Sequence, residues 1–410
     1  MQRATDVVIT GAAALTPIGL GFEALRRGLR QGEPRLAPLA TLGDATPEPP
    51  LWGGELSAFD AEAMLGARGL RNKGRASLFV IACLQLEFGP QLAALGPREE
   101  LGLVVGTAFG CYSSQIAFST TYQRGGFRGV NALDFPNMMI NAPASQSNIW
   151  FELTHSSTTV ANDATSGLDA LLFAADQIAC GRASCVIAGG VEAINVHLAL
   201  ALQRGGFCSP SARLLPFDGR RDGTLPGEGA GLLVLESRER AEGRGARVLG
   251  QVLGAGAAFS GQTAFCEPND PATAARAMTQ ALHAAAIGPE QVDFVAAAGN
   301  GAVVADRTEA QAIAQVFGAR AAALPVVAYK SYWGESYGAS GAMQAVAALA
   351  DLQDGVISAT CGFEGGGGFE GGELGLAVSG QARAGLAPRT VLVNSISYAG
   401  NCSSLVLRRA

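Results

Sequence analysis

Histidine is almost missing from this 410-residue chain: only His155, His197 and His283 occur. The eight cysteines, Cys83, Cys111, Cys180, Cys185, Cys208, Cys266, Cys361 and Cys402, are scattered and form no C-x-x-C pair. Without closely spaced Cys or His ligands there is no metal-site signature, so no metal is expected and the thiols read as reduced. Charge is also scarce, at 16% of residues with a net charge of -6. Nucleic acid is therefore not an expected partner, since phosphate binding needs a concentrated basic surface. The chain lacks a charge-free run of about 20 large apolar residues, and residues 1–30 lack the charged start, apolar core and cleavage site of a signal peptide. No membrane span is expected, and the expected address is cytoplasmic.

What the chain has is apolar bulk. Hydrophobic residues make up 48%, enough to bury a large core and, at this length, to fill two or three domains. Strand-like runs, "DVVITGAAAL", "LGLVVGTA", "SCVIAGGVEA", "GAGLLVLES", "VDFVAAAGN", "PVVAYKS" and "TVLVNSIS", alternate with alanine-rich helical segments. Continuous Val/Ile/Leu runs joined by helices indicate sheets covered on both faces, hence an α/β protein.

Two helical segments echo each other. "TSGLDALLFAADQIACG" (Thr165–Gly181) and "ASGAMQAVAALADLQDG" (Ala339–Gly355) both start with Ser-Gly and end with Gly, at identical spacing, 174 positions apart. Each is expected to be a Ser-capped, Gly-ended helix whose alanines permit close packing, followed by a strand. Two such units imply a duplicated α/β chain, a thiolase-like fold in α-β-α-β-α layers, with halves at 1–245 and 246–410. Two segments fall outside the repeat. "QGEPRLAPLATLGDATPEPPLWGG" (Gln31–Gly54) is Pro-rich and reads as a surface excursion, and "GFEGGGGFEGGELG" (Gly362–Gly375) as a low-complexity loop. No Lys-Ser/Thr or helix start follows those glycines, so they do not read as a phosphate cradle, and no cofactor is expected.

The stretch "VANDATSG" (Val160–Gly167) runs the β-branched segment "SSTTV" into the first of these helices. A strand-to-helix turn is where enzymes expose a nucleophile, with helix N-terminal amides to stabilise negative charge. Here the apex residue is Ala164.

Several blocks in order carry a resemblance over nearly the whole chain. "LLPFDGRRDGTLPGEGAGLLVLES" (Leu214–Ser237) resembles the P-F-D-x-x-R-D-G-x-x-x-G-E-G-A-G stretch of the β-ketoacyl synthase family, and "GLGFEALRRGLRQG", "IAGGVEA" and "DRTEAQAI" match that family too. The resemblance implies a cysteine at the strand-to-helix junction that takes an acyl chain from a carrier protein. It also implies two histidines, in H-G-T-x-T and K-S-x-x-G-H, that stabilise the enolate formed on decarboxylation. At these three positions this sequence has Ala164, Ala298 and Glu335. Lys330 keeps the lysine of the second motif, and Asp306 and Glu309 keep the acidic positions after the first, where the family pairs lysine with glutamate. "SYAGNCSS" stands for the family's G-F-G-G-T-N, with Tyr398 at the gating phenylalanine.

The resemblance implies a catalytically degenerate member, of the kind called chain length factor in type II polyketide and aryl-polyene systems. Such a subunit pairs with an active ketosynthase as a heterodimer and shapes the tunnel in which the chain grows on acyl carrier protein. Many of those relatives carry glutamine where this chain has Ala164. The strand "SSTTVAN" is then expected beside the dimer interface. Phe109, Tyr112, Ile116 and Phe118, with Met138 and Met139, are expected toward the acyl tunnel, and Trp150 and Phe151 in core or interface. The basic stretch Arg68, Arg71, Lys73 and Arg75 is a candidate carrier-protein dock, against the plainer reading of a solvated helix flank. Three alternatives stand beside this. One is an enzyme with relocated chemistry, using Asp163, Thr165, Ser166, Cys111 or Glu335. The others are a decarboxylating subunit, which would lack its oxyanion stabilisers, and a stand-alone acyl-binding homodimer.

Overall fold

The apolar runs form strands whose alternate residues face different cores. The computed structural model describes residues 5–45, 47–261, 270–364 and 375–410; Cys266 and most of the Gly362–Gly375 loop lie outside the described residues. The first half of the chain supplies β1 (Val7–Thr16), β2 (Leu101–Gly106), β3 (Ser157–Val160), β4 (Cys185–Glu192) and β5 (Gly229–Ser237). Its principal helices are α1 (Arg75–Phe88), α2 (Tyr112–Gly125), α3 (Ala142–Phe151), α4 (Ser166–Ala179) and α5 (Val196–Arg204). The second half supplies β6 (Gly250–Phe259), β7 (Phe294–Ala296), β8 (Pro325–Val327), β9 (Ala377–Val378), β10 (Thr390–Ile396) and β11 (Asn401–Arg409). With them come α6 (Pro271–Ala284), α7 (Val303–Phe317), the short α8 (Lys330–Trp333) and α9 (Ser340–Asp354).

The sheet order is β9-β8-β7-β10-β11-β6-β1-β5-β4-β2-β3. Outward from the central β6–β1 seam, the two arms are the same: β1-β5-β4-β2-β3 matches β6-β11-β10-β7-β8, with β9 added at one edge. Orientation repeats too, since β1–β5 and β5–β4 are antiparallel and β4–β2 and β2–β3 parallel, as are their counterparts. The arms join through Val7↔Val252, Val8↔Gln251 and Ile9↔Gly250.

The strands are buried almost throughout, and successive residues face opposite sides of the sheet, as period-2 geometry requires. Val186, Leu233, Val391 and Leu405 face a central core shared with α4 and α9, whose alanines lie between the two arms. Ile187, Leu232 and Val234 face an outer core with α1 and α3, and Leu392 and Val406 face another with α6 and α7. The result is five layers, helix, sheet, helix, sheet, helix, the thiolase-like arrangement. Close approach in the middle layer depends on glycine: a Cβ on Gly167 would lie 2.5 Å from the Gly338 carbonyl oxygen.

Two expectations need correcting, and one strand was not foreseen. The Gln31–Gly54 segment is not a mere surface excursion, because Leu39, Leu42 and Leu51 are buried against Ile194, Ala199 and Cys208. α4 is followed by β4, but the pair Val356–Ile357 after α9 joins a separate two-stranded ribbon instead of the main sheet. Strand β6, "GQVLGAGAAF", escaped the apolar-run reading because its glycines leave room for α6: a Cβ on Gly256 would sit 2.2 Å from the Ala277 oxygen.

Candidate functional site

Two elbows leading into helices meet at the centre of the molecule. β3 leads through Asn162–Thr165 into α4, and α8 leads through Glu335–Ala339 into α9. Equivalent non-glycine residues in the two elbows, Asp163 (φ 53°) and Tyr337 (φ 42°), both hold left-handed backbone. That conformation is uncommon outside glycine and clusters at functional sites. Ala164, the next residue, is 1% exposed, and its carbonyl accepts a hydrogen bond from Ser395 Oγ at 2.9 Å.

The expected serine caps are not N-caps. Ser166 and Ser340 are the first residues of α4 and α9, and neither helix has a side-chain cap at its N-cap position. Each hydroxyl instead reaches back into the elbow: Ser166 Oγ accepts from Asn162 N–H (2.8 Å) and donates to the Asp163 carbonyl (2.6 Å). Ser340 Oγ accepts from Ser336 N–H (3.0 Å) and donates to Glu335 Oε1 (2.6 Å). The terminal glycines behave as expected, with Gly181 (φ 70°) and Gly355 (φ 68°) left-handed after the helices.

Lys330 is paired, but not with Glu309. Its Nζ lies 2.7 Å from Glu335 Oε2, and both side chains are 1% exposed. Glu335 also accepts from Asn300 Nδ2 (2.8 Å) and from Tyr337 N–H (3.0 Å), so with Ser340 its carboxylate gathers four donors. Five residues of separation, bridging α8 and the following turn, bring this carboxylate to the ammonium, which leaves Glu309 without it. Glu309 Oε1 accepts from Ala298 N–H (2.9 Å) and Asn394 Nδ2 (3.1 Å), while Oε2 is buried with no partner among the described residues. Burial pushes the Glu309 carboxyl up to about 7.

The surrounding acids are likewise desolvated. Asp306 accepts from Phe217 (2.7 Å), Asn300 (2.9 Å) and Gly301 (3.2 Å) N–H groups, yet burial still carries it up to about 6. Asp163 is also raised, by burial first, although Ser397 Oγ donates to it at 2.7 Å. Glu192, in "IAGGVEA", ties the second elbow to the segment after β2, accepting from Ala108 N–H (2.8 Å) and Gly338 N–H (3.3 Å); burial moves it up to about 8. Tyr398 is 7% exposed, packs edge-to-face on Phe207 at 5.4 Å and receives Asn300 Nδ2 at 3.2 Å.

Ser166, Thr165 and Cys111, expected as alternative nucleophiles, are engaged or buried. The Ser166 hydroxyl is spent on backbone, and Thr165 Oγ1 lies 2.9 Å from both the Asn162 carbonyl and Asp169 Oδ2. Cys111 is buried 3.4 Å from Ser77 Oγ, and burial pushes its thiol up, away from the reactive thiolate. Among the described residues no His/Cys/Asp/Glu cluster suits a metal ion, and the described cysteines carry no disulfide.

Of the tunnel candidates, Phe109 packs edge-to-face on Tyr337 at 5.3 Å, joining this group to the second elbow. Ile116 and Met138 are half-buried; Tyr112 and Met139 are exposed. Phe118 packs on Phe135 at 6.3 Å. Phe151 is buried and Trp150 half-buried, both on the α1–α3 core. The basic stretch divides. Arg68 and Arg71 are exposed, whereas Arg75 turns inward to the wholly buried Glu228 (2.6 Å), over the rings of Phe59 and Phe79. Lys73 Nζ donates to Gln146 Oε1 (2.7 Å) against the face of Trp150. A buried carboxylate claims the Arg75 guanidinium.

Comparison with known families places the whole arrangement. The beta-ketoacyl synthase N-terminal domain matches residues 87–241 and the C-terminal domain residues 249–364, and the chain belongs to the β-ketoacyl synthase family. Within that family it is similar to the tetracenomycin polyketide synthase ketoacyl synthase beta subunit of Streptomyces glaucescens, 31% identical over 424 residues and covering all of both chains. It is also similar to 3-oxoacyl-[acyl-carrier-protein] synthase 2 of Synechocystis, 28% identical over 370 residues, 87% of this chain and 88% of that one. The solved ishigamide ketosynthase/chain length factor superposes with a TM-score of 0.88 at 27% identity, covering 99% of this chain and 100% of that one. No described helix is long and apolar enough to cross a membrane.

Proposed function

We propose that this chain is a non-catalytic chain length factor, which pairs with an active ketosynthase and shapes the tunnel for a carrier-protein-bound acyl chain. The observation that carries the reading is the Lys330–Glu335 pair. At the position where the family has its second histidine stands a carboxylate, with Ala164 and Ala298 at the other two. A carboxylate beside a developing enolate oxygen repels it, and neither alanine can attack or donate, so decarboxylative condensation has no machinery here. The interior nevertheless keeps its pairing, with the lysine charge neutralised and each of the buried acids accepting hydrogen bonds.

Three further features support a partner. Among the described residues β3 pairs only with β2 and ends the sheet, leaving an edge open to another chain. The segment after β2 exposes Tyr122, Phe127, Leu133, Phe135 and Ile140, with Phe127 at 83% and packed on Tyr122; large apolar exposure on one segment suits an interface. The names of the tetracenomycin beta subunit and the ishigamide pair describe subunits of such assemblies. Exposed Arg68 and Arg71 are offered as the part of the basic stretch that meets an acidic carrier protein. The division into halves at 1–245 and 246–410 belongs to the same reading; it falls between the helix Arg238–Gly243 and β6.

The test is reconstitution with a candidate ketosynthase, malonyl-carrier protein and labelled acyl-carrier protein, with complex size and product length followed by mass spectrometry. The reading requires that condensation appear or products lengthen only when a one-to-one complex forms. Acylation or turnover by this chain alone would sink it.

A further inference from the structure

Behind α2, away from the side that carries Tyr112 and Ile116, lies a cavity of about 290 Å³ between this helix, Lys73 and the segment around residues 129–137. At 3.6 residues per turn, Phe118 and Thr121 project from the opposite side of α2 and line it. The volume is at the small end of ligand sites, which suits a small metabolite better than a long chain.

Two opposite charges line this cavity without meeting. Among the described residues neither Lys73 nor Asp134 makes an ion pair; Lys73 makes do with the neutral Gln146 amide and the Trp150 face. Burial lowers the Lys73 pKa, the mark of an ammonium that lacks a counter-charge. A third, independent observation is Asn137. It is 8% exposed and lines the same cavity, and its amide oxygen has no hydrogen-bond partner among the described residues. Buried polar atoms are ordinarily satisfied, and an orphan acceptor needs a donor from elsewhere.

We propose that this cavity binds a small zwitterion, an amino acid. Its carboxylate would meet the Lys73 ammonium, its ammonium would meet Asp134 and the Asn137 amide oxygen, and its side chain would rest on Phe118 and Val130. A ligand bearing both charges satisfies both walls. An anion alone would face Asp134, and a cation alone would face Lys73. The inference uses no residue of the elbows, although Phe118 and residues 129–137 belong to the segment assigned above to the tunnel and the partner.

The test is calorimetry and thermal shift on the full chain, in the assembly in which it purifies. The probes are the twenty proteinogenic amino acids and β-alanine, with propionate and propylamine as single-charge controls. The expected result is saturable one-to-one binding of at least one amino acid. Lys73→Met and Asp134→Asn should each weaken it by about tenfold or more, and Asp134→Asn should leave the ligand-free Tm unchanged. The proposal is overturned if no amino acid binds at about 10 mM, if propionate binds as tightly as the amino acids, or if Asp134→Asn has no effect on binding.

Discussion

Lys330 and Glu335 form a 2.7 Å ion pair with both side chains 1% exposed, five residues apart in the sequence and across a helix end in space. Removing one partner of such a pair leaves a bare charge in the core. Glu335→Ala should therefore destabilise the fold by about 3–5 kcal/mol. The double substitution Lys330→Met with Glu335→Leu should cost less than the sum of the single ones, since it removes both charges. Urea denaturation of Glu335→Ala, of Lys330→Met and Glu335→Leu singly, and of the double variant measures this; additive losses would show that the pair carries no coupling.

Restoring the missing thiol should not restore chemistry. Ala164→Cys would place a sulfur in an interior already holding the raised Asp163 and the Glu335 carboxylate, which disfavour a thiolate. The single variant should take no acyl label from an acyl-carrier protein. Intact-mass spectrometry after incubation checks it, and an acyl adduct mapped to the substituted position would show that the elbow alone suffices.

The raised acids fix the sign of the pH dependence. Glu192 and Glu309 hold folded values of about 8 and about 7, against unfolded values near 4.3. The native state keeps protons that the unfolded chain has released, so their contribution is full below about pH 4.3 and is lost as pH rises through 7 to 8. Urea midpoints should fall across this window, and Glu192→Gln should flatten its upper part. A midpoint that rises with pH between about 6 and 8 would mean that these acids are ionised in the fold.

Tunnel geometry can be read from product length. Ile116 is half-buried on α2 between exposed neighbours, where added bulk has room to enter a partner's channel. Ile116→Trp should shorten the product of a working pair without lowering its yield of complex. Unchanged product length removes Ile116 from the tunnel.

The sequence made most of the frame legible, and for physical reasons. Long Val/Leu runs such as "GAGLLVLES" have one stable use in a covered sheet, and the 174-residue echo between the two Ser-Gly helices exposed the duplication. β6 stayed hidden because its Gly and Ala residues exist to admit α6, and close packing leaves no apolar signature. At the site, Ala164, Ala298 and Glu335 were found by position, since a missing side chain is visible in a string. Who pairs with whom was not. Glu335 competes with Glu309 for Lys330 and wins by a turn whose direction no spacing encodes. Asn300 and Glu192 reach partners 35 and 146 residues away.

The β6 seam has a consequence for how the chain can be cut. β1 and β11 flank the same residues of β6, with Val252 facing Val7 on one side and Leu407 on the other, and Gly250 facing Ile9 and Arg409. The first and last strands thus run side by side, two strand spacings or about 10 Å apart, with one strand between them. A short peptide could tie them, and reopening the backbone ahead of Gly250 would yield a permuted molecule in which the two arms trade order while every neighbour in the sheet stays the same.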